Sequence, residues 1–367
     1  MQILTQPSQY PITLDTLLRD AVKRDCSDLH LVAGASPYMR IQGEMREQDY
    51  PVLLPQDVQK LLFEVLLPEQ QEELRTQWEL DFSYAIPGCA RFRGNVIVQR
   101  GTLAAVFRVV PFQVPDLMRL GLPADVSRLA TLPRGLILVT GPTGSGKSTT
   151  MAALIDHINQ TRAVNIVTIE DPIEFLHTHR RATVRQREVG TDTKSFAMAL
   201  RQALRHDPDI IMIGEMRDNE SISIALTAAE TGHLVLSTLH TQTAPLSVSR
   251  IVDCFSGDAK QQVRQQLSGA LRAVISQQLI PTVDGKRAVA VEYMVDVPSV
   301  RSMIRDGKEY QLYSAIQTGK AQGMQTMDQA LAGLFLAGRI TYENMMQACI
   351  DSKEIQRLTQ GDLYGSP

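Results

Sequence analysis

Between Gly141 and Thr149 the chain reads Gly141-Pro142-Thr143-Gly144-Ser145-Gly146-Lys147-Ser148-Thr149, which fits the phosphate-binding pattern G-x-x-x-x-G-K-[ST]. The glycines let successive backbone N–H groups turn inward around a β-phosphate. Lys147 reaches the β/γ oxygens, and the Ser148 hydroxyl is placed to ligate Mg²⁺ at the positive end of a following helix. An apolar run from Gly135 to Thr140 precedes the loop, and Met151, Leu154, Ile155 and Ile158 recur after it at helical spacing. That strand–loop–helix setting is what separates a nucleotide site from a Gly-rich surface turn.

Hydrolysis of a γ-phosphate needs charge neutralisation and a positioned water more than covalent chemistry, and carboxylates at strand ends supply both. Glu215 follows the apolar run Ile210 to Gly214, where it can hold the Mg²⁺ shell or orient water. Its plain alternative is a helix N-terminal acid pairing with Arg217. Lys147 and Glu215 are expected at the ends of adjacent strands, with Glu170 and Asp171 in the matching place one strand over from Glu215. The alternative for that second pair is a solvated turn before Pro172. His233 and His240 bracket one strand seven residues apart, so they point to opposite ends and cannot share a small ligand. His240 lies at the nucleotide end and is the candidate phosphate sensor, the alternative being a satisfied structural histidine. His177-Thr178-His179 has metal-like spacing but sits beside Arg180 and Arg181, and reads as a solvated loop.

The elements that must position these groups form four buried strands, 136–140, 165–169, 209–213 and 234–239. Helical stretches at about 149–160, 193–205 and 219–230 alternate with them. This rhythm implies a parallel sheet covered on both faces, with ligands beyond the carboxyl ends of its strands. Upstream lies a smaller α+β region. It contains a helix over 12–25, a strand over 27–32, a hairpin through Gly43, helices between Pro55 and Trp78, and strands at 81–84, 90–98 and 103–109. Trp78, Phe82, Tyr84, Phe92 and Phe107 are expected in its core rather than on a stacking platform. Pro111, Pro115, Gly121 and Pro123 punctuate a connector. The expected division is therefore a first domain over 1–110, a linker over 111–125 and a second domain over 126–367.

In a chain of 367 residues, 44% hydrophobic and 21% charged residues describe ordinary globular domains. A formal net charge of -3 gives no basic excess for nucleic-acid backbones, so no nucleic-acid partner is expected. Cys26, Cys89, Cys254 and Cys349 form no C-x-x-C pair, against a zinc knuckle or a disulfide framework and for a reduced compartment. The start Met1 to Pro7 lacks a secretory pattern, and no apolar patch reaches membrane-spanning length. A soluble protein that docks on a membrane machine is the expectation.

Taken together, 141–150, 168–174, 209–218 and 231–241 resemble the Walker A, Asp-box, Walker B and His-box elements of the secretion-superfamily ATPases, and Ser27 to Leu31 and Arg91 to Asn95 extend the likeness across nearly the whole chain. The chain is similar in particular to the type IV pilus retraction ATPases: no tetracysteine insert follows Gln278-Leu279-Ile280, and no long extension precedes the first domain. Val300 to Lys308 resembles the retraction signature A-I-R-N-L-I-R-E. Here Val300, Met303 and Ile304 make an apolar helix face, Arg301 and Arg305 a cationic one, and Gly307 the stop.

The resemblance implies a PAS-like first domain and a RecA-like P-loop core with a helical C-terminal segment. It implies ATP and Mg²⁺ as ligands, with Glu170, Glu215 and His240 acting beside the loop. Arg91, Arg93 and Arg108 would come from the small domain as charge clamps on a neighbouring subunit's nucleotide. The implied assembly is a cytoplasmic homohexamer at the inner face of the membrane, working on a pilus platform protein and with a paralogous retraction ATPase as a further partner. The alternatives are a pilus-assembly or type II secretion ATPase in the same class, a nucleic-acid motor from a different class, which would need a basic pore surface, and an accessory retraction subunit. Gly94 stands where the family usually has Val, which is expected to weaken its strand.

Overall fold

The computed structural model describes residue 8, residues 10–110 and residues 114–363, with the side chains of 360–363 excluded. The Met1 to Pro7 segment and Pro111 lie outside the described residues. The chain divides into two compact units, Met1–Gln113 with Pro172–Leu176, and Val114–Asp171 with His177–Pro367.

In the first unit, Thr13 caps α1 (Leu14–Lys23) by accepting from the Thr16 N–H, and Leu14, Leu17, Leu18 and Ala21 form the helix's buried face. Then follow β1 (Cys26–Val32), β2 (Tyr38–Ile41), β3 (Glu44–Glu47), α2 (Pro55–Phe63), α3 (Pro68–Gln77), β4 (Glu79–Ile86), β5 (Ala90–Gln99) and β6 (Thr102–Val110). The strands pair antiparallel in the order β3-β2-β1-β6-β5-β4. Phe82, Phe92 and Phe107 are buried as expected, with the rings of Phe82 and Phe107 edge to face at 5.8 Å. Trp78 is not in the core. It takes a left-handed conformation (φ 66°) at the end of α3, and the residue is 62% exposed. Tyr84 is only half-buried, its hydroxyl donating to Asp15 Oδ1 at 2.6 Å.

Gly94 also departs from expectation. It lies directly opposite Phe82 in the β4–β5 pairing, and a Cβ there would meet the Phe82 ring at 2.4 Å. The aromatic ring occupies the space that a Val side chain would need, so it covers the glycine instead of leaving a weak point.

The second unit contains α4 (Val126–Leu129), β7 (Gly135–Thr140), α5 (Lys147–Thr161), β8 (Asn165–Glu170), β9 (Thr183–Glu188), α6 (Phe196–Ala203), β10 (Ile210–Ile213), α7 (Asn219–Glu230), β11 (Leu234–Leu239), α8 (Ala244–Asp253) and α9 (Ala259–Ala270). It continues with β12 (Leu271–Pro281), β13 (Arg287–Val295), α10 (Pro298–Arg305), α11 (Leu312–Thr318), α12 (Met327–Leu336), α13 (Tyr342–Ala348) and α14 (Ser352–Leu363). Every residue of β7, β10 and β11 is buried, as strands sandwiched between helical layers require.

The sheet order is β13-β12-β7-β11-β10-β8-β9, parallel except for the antiparallel edge strand β13. The four expected strands are present, whereas β9, β12 and β13 were not anticipated. The order also corrects one expectation, because β11 separates β7 from β10. Lys147 and Glu215 therefore do not follow adjacent strands, while β10 and β8 are neighbours as expected. Within the proline-punctuated stretch Leu117 is buried, and with Val126 just after that stretch it belongs to the core cluster that contains Ile137 and Met151.

In α10, Val300 and Ile304 are buried while Arg301 and Arg305 are exposed. Gly307 (φ 71°) ends the helix, and the Lys308 N–H donates back to Met303 O at 2.8 Å.

Candidate active site

The phosphate loop turns where only glycine is comfortable: φ is 140° at Gly141, 79° at Gly144 and 89° at Gly146. At Gly141 a side chain is excluded twice over, since a Cβ would lie 2.3 Å from the Gln277 carbonyl oxygen. Gly146 immediately precedes α5, so Lys147 and Ser148 occupy the first positions of a helix of 15 residues, at its positive end. The Lys147 ammonium donates to the carbonyls of Gly141 at 2.8 Å and Pro142 at 3.0 Å. The Ser145 hydroxyl is buried in the loop without a hydrogen-bond partner.

At the same edge of the sheet, Glu170 is the last residue of β8 and only 6% exposed. Its Oε1 accepts from Thr168 Oγ1 at 2.6 Å and from Gln186 Nε2 at 3.0 Å. Glu215 follows β10 through Gly214, where a Cβ would come within 3.3 Å of the Ile169 carbonyl. Thr238 of β11 braces that turn by donating to Gly214 O. Glu215 Oε2 receives Arg217 Nε at 2.8 Å and faces His240 Nε2 at 3.4 Å. The plain alternative for Glu215, pairing with Arg217, is thus realised together with the contact to the strand-end histidine. That hydrogen bond and charge, with Asp171 adding to them, raise the Arg217 guanidinium above its usual pKa. Asp171 itself is exposed.

His233, at the opposite end of β11, turns Nδ1 to the Ala228 carbonyl at 3.0 Å. The expectation of a solvated His177 does not hold. The ring is partly buried with Nδ1 lacking a partner, and burial, opposed by Asp156, holds its pKa below the usual histidine range. His179 is exposed, and its Nδ1 accepts the Val184 N–H at 3.1 Å.

Arg91, Arg93 and Arg108 belong to the first unit's sheet. Arg93 and Arg108 are cross-strand partners. Arg108 Nε donates to Asp28 Oδ1 at 2.8 Å, and Arg93 lies 3.9 Å from Asp81. Burial alone would raise the Asp28 carboxyl, yet the hydrogen bonds from Arg108 and Ser27 hold it below its usual range.

Several participants escaped sequence reasoning. Gln277 of β12 donates through Nε2 to Ser145 O at 2.9 Å, bracing the loop, and Thr140, just before it, donates to Ser276 Oγ at 2.8 Å. Gln186 of β9 reaches Glu170. The only trace of these residues in the sequence is polar side chains inside otherwise strand-like runs. Glu292 on β13 is fully buried, and its Oε1 accepts the Ala244 N–H at the start of α8 at 2.6 Å. Burial pushes its carboxyl up to about 7 against backbone bonds from Ala244 and Met327, with Asp328 adding to the rise.

Among the described residues no three His, Cys, Asp or Glu side chains gather as a metal cage. A hydroxyl at Ser148 with strand-end carboxylates is instead a hard-oxygen donor set of the kind that shares Mg²⁺ with phosphates and water. The loop's unpartnered Ser145 hydroxyl and side-chain-excluding glycines fit a phosphate cradle. No helix among the described residues is long and apolar enough to cross a membrane.

The family described as type II/IV secretion system protein matches residues 6–356. The type IV pilus retraction ATPase PilT of Pseudomonas aeruginosa is 49% identical over 89% of this chain and 95% of its own. The type IV pilus ATPase PilU of the same organism is 39% identical over 94% of this chain and 90% of its own. A crystal structure of the pilus retraction motor PilT with bound ADP superposes with a TM-score of 0.88 at 48% identity, covering 94% of this chain and 99% of that one. With a phosphate loop, strand-end carboxylates and a strand-end histidine on a RecA-like sheet, this chain is an ATPase of the type II/IV secretion family and belongs to its PilT-like pilus retraction branch.

Proposed function

We propose that this chain is the subunit of a cytoplasmic homohexameric motor that hydrolyses ATP to retract type IV pili and so drives twitching motility. The observation that carries the chemical part is the gathering of Lys147, Glu170, Glu215 and His240 at one edge of the parallel sheet. The ATP phosphates lie on 141–149, with Lys147 on the β/γ oxygens. Ser148 and Glu215 would hold Mg²⁺, which when bound neutralises charge on those oxygens. Glu170 and Glu215 orient the attacking water, and His240, in contact with Glu215, reads the γ-phosphate. The arginine that this core places in the cluster, Arg217, is already paired with Glu215. Arg91, Arg93 and Arg108 therefore serve a neighbouring subunit's nucleotide, a kind of clamp worth about 10³ to 10⁵ in rate.

The first domain spans 1–110 and the ATPase domain 126–367, and motion through the connector between them turns hydrolysis into work on a platform protein at the inner face of the membrane. The buried Val300 and Ile304 fix α10, so that exposed Arg301 and Arg305 couple nucleotide state to that work. A paralogous retraction ATPase is a further partner.

The test is deletion of the gene with pili scored by microscopy. Excess, non-retracting pili without twitching are expected, whereas absent pili would assign the chain to assembly. Mixing Arg108→Ala with Lys147→Ala subunits should restore part of the ATPase rate if the arginines act between subunits. Full turnover by dilute monomers would overturn that arrangement.

A further inference from the structure

We propose that Gln186 is a positioning residue for ATP hydrolysis: its side-chain amide, pinned at one end by the backbone of residue 177, aims the carboxylate of Glu170. β9 pairs parallel with β8, placing Gln186 beside Thr168 and Glu188 beside Glu170. Gln186 Nε2 donates to Glu170 Oε1 at 3.0 Å, while Gln186 Oε1 accepts the His177 N–H at 2.8 Å. The amide is bipolar, with donors at one end and an acceptor at the other. Rotating it by half a turn would set its carbonyl against the carboxylate and its NH₂ against the His177 N–H, losing both bonds at once. Its orientation is therefore locked by the backbone.

Thr168 Oγ1 donates to the same Glu170 Oε1 at 2.6 Å. Two neutral donors converging on one oxygen fix the plane of the carboxyl group as well as its position. For a group that must direct a water molecule at phosphorus, plane and angle are the quantities that matter. The site is also one where loose support would be costly, since Glu170 is nearly buried.

A side chain that only satisfied an edge strand would change stability when removed and leave turnover per folded enzyme alone. A positioning residue changes kcat and leaves nucleotide binding alone. The inference rests on Glu170 acting in hydrolysis, so the experiment carries both residues.

In the full-length protein, Gln186→Met, similar in length but without donors, is expected to lower kcat about 10- to 100-fold. The KM for ATP and the equilibrium affinity for a fluorescent ADP analogue should stay within about twofold of the parent. In a Glu170→Gln background, followed by single-turnover hydrolysis, the same substitution should change the rate by less than about twofold, because there is no longer a carboxylate to aim. If Gln186→Met does not fold, Gln186→Glu keeps the shape but sets an acceptor against Glu170, and the same kcat loss is expected. An unchanged kcat in the variant that folds, or an equal fold-loss in both backgrounds, overturns the positioning role alone. Full turnover by Glu170→Gln overturns the role of Glu170 and the inference with it.

Discussion

The ends of β8 and β10 lie on neighbouring strands and present one glutamate each, but they hold it by opposite means. Glu170 is nearly buried and is gripped by the neutral donors Thr168 and Gln186. Glu215 lies nearer solvent, where the cationic Arg217 and the imidazole of His240 meet one of its oxygens. Neutral donors in a dry site fix geometry at no cost in competing charge. A cationic partner in a wetter site leaves the carboxylate exchangeable, free to trade Arg217 for a ligand. The first arrangement suits a group that must hold still, and the second a group that must change partners as nucleotide comes and goes.

The comparison breaks outright if either carboxylate is dispensable. Glu170→Gln and Glu215→Gln are each expected to lower kcat by about 10² to 10⁴ while nucleotide affinity survives, as steady-state kinetics with parallel binding titrations would read. A fully buried carboxylate on β13 sharpens it. Glu292 has no cation among its named partners, and its folded pKa of about 7 lies above the unfolded value of 4.5. The folded state therefore binds the extra proton between those values. The stability this gives is complete below pH 4.5 and is lost as pH rises through 7. Glu292→Gln should consequently be more stable than the parent at pH 8 by about 3 kcal/mol, with the gap closing towards pH 4.5 in urea titrations.

Smaller effects separate the two strand ends themselves. Thr168→Val keeps the shape but removes a buried donor from Glu170 Oε1, with an expected loss of about 1–3 kcal/mol in urea unfolding. Arg217→Ala removes an exposed pair and should cost no more than about 1 kcal/mol, a difference that about 0.5 M salt erases. If Arg217→Ala cost more than Thr168→Val, the contrast between a dry neutral clasp and a wet ionic one would be wrong.

Legibility in the sequence followed the range of the forces involved. The loop 141–149, the buried runs of β7, β8, β10 and β11, and the two faces of α10 could be read directly, because backbone torsion, burial and helical period act within a few residues. Trp78 was misplaced because composition puts a tryptophan in the core, whereas the left-handed end of α3 turns it outward. The Gly94 expectation missed the ring of Phe82 across the sheet, since nothing near residue 94 in sequence announces it. The strand pair β12 and β13 went unread, and with it Gln277 and Glu292.

What the sequence determined by itself is therefore a set of parts: a phosphate loop opening a helix, acids and a histidine just past apolar strands, and a cationic helix with a glycine stop. Only the tertiary structure decided their arrangement. It inserted β11 between the strands that precede Lys147 and Glu215, set β9 against β8 so that Gln186 reaches Glu170, and brought β12 beside β7 so that Gln277 closes on the loop. Strand order and cross-strand partners depend on how each crossover helix packs against the whole sheet. That free energy is summed over residues far apart in the chain and is written in no local stretch of it.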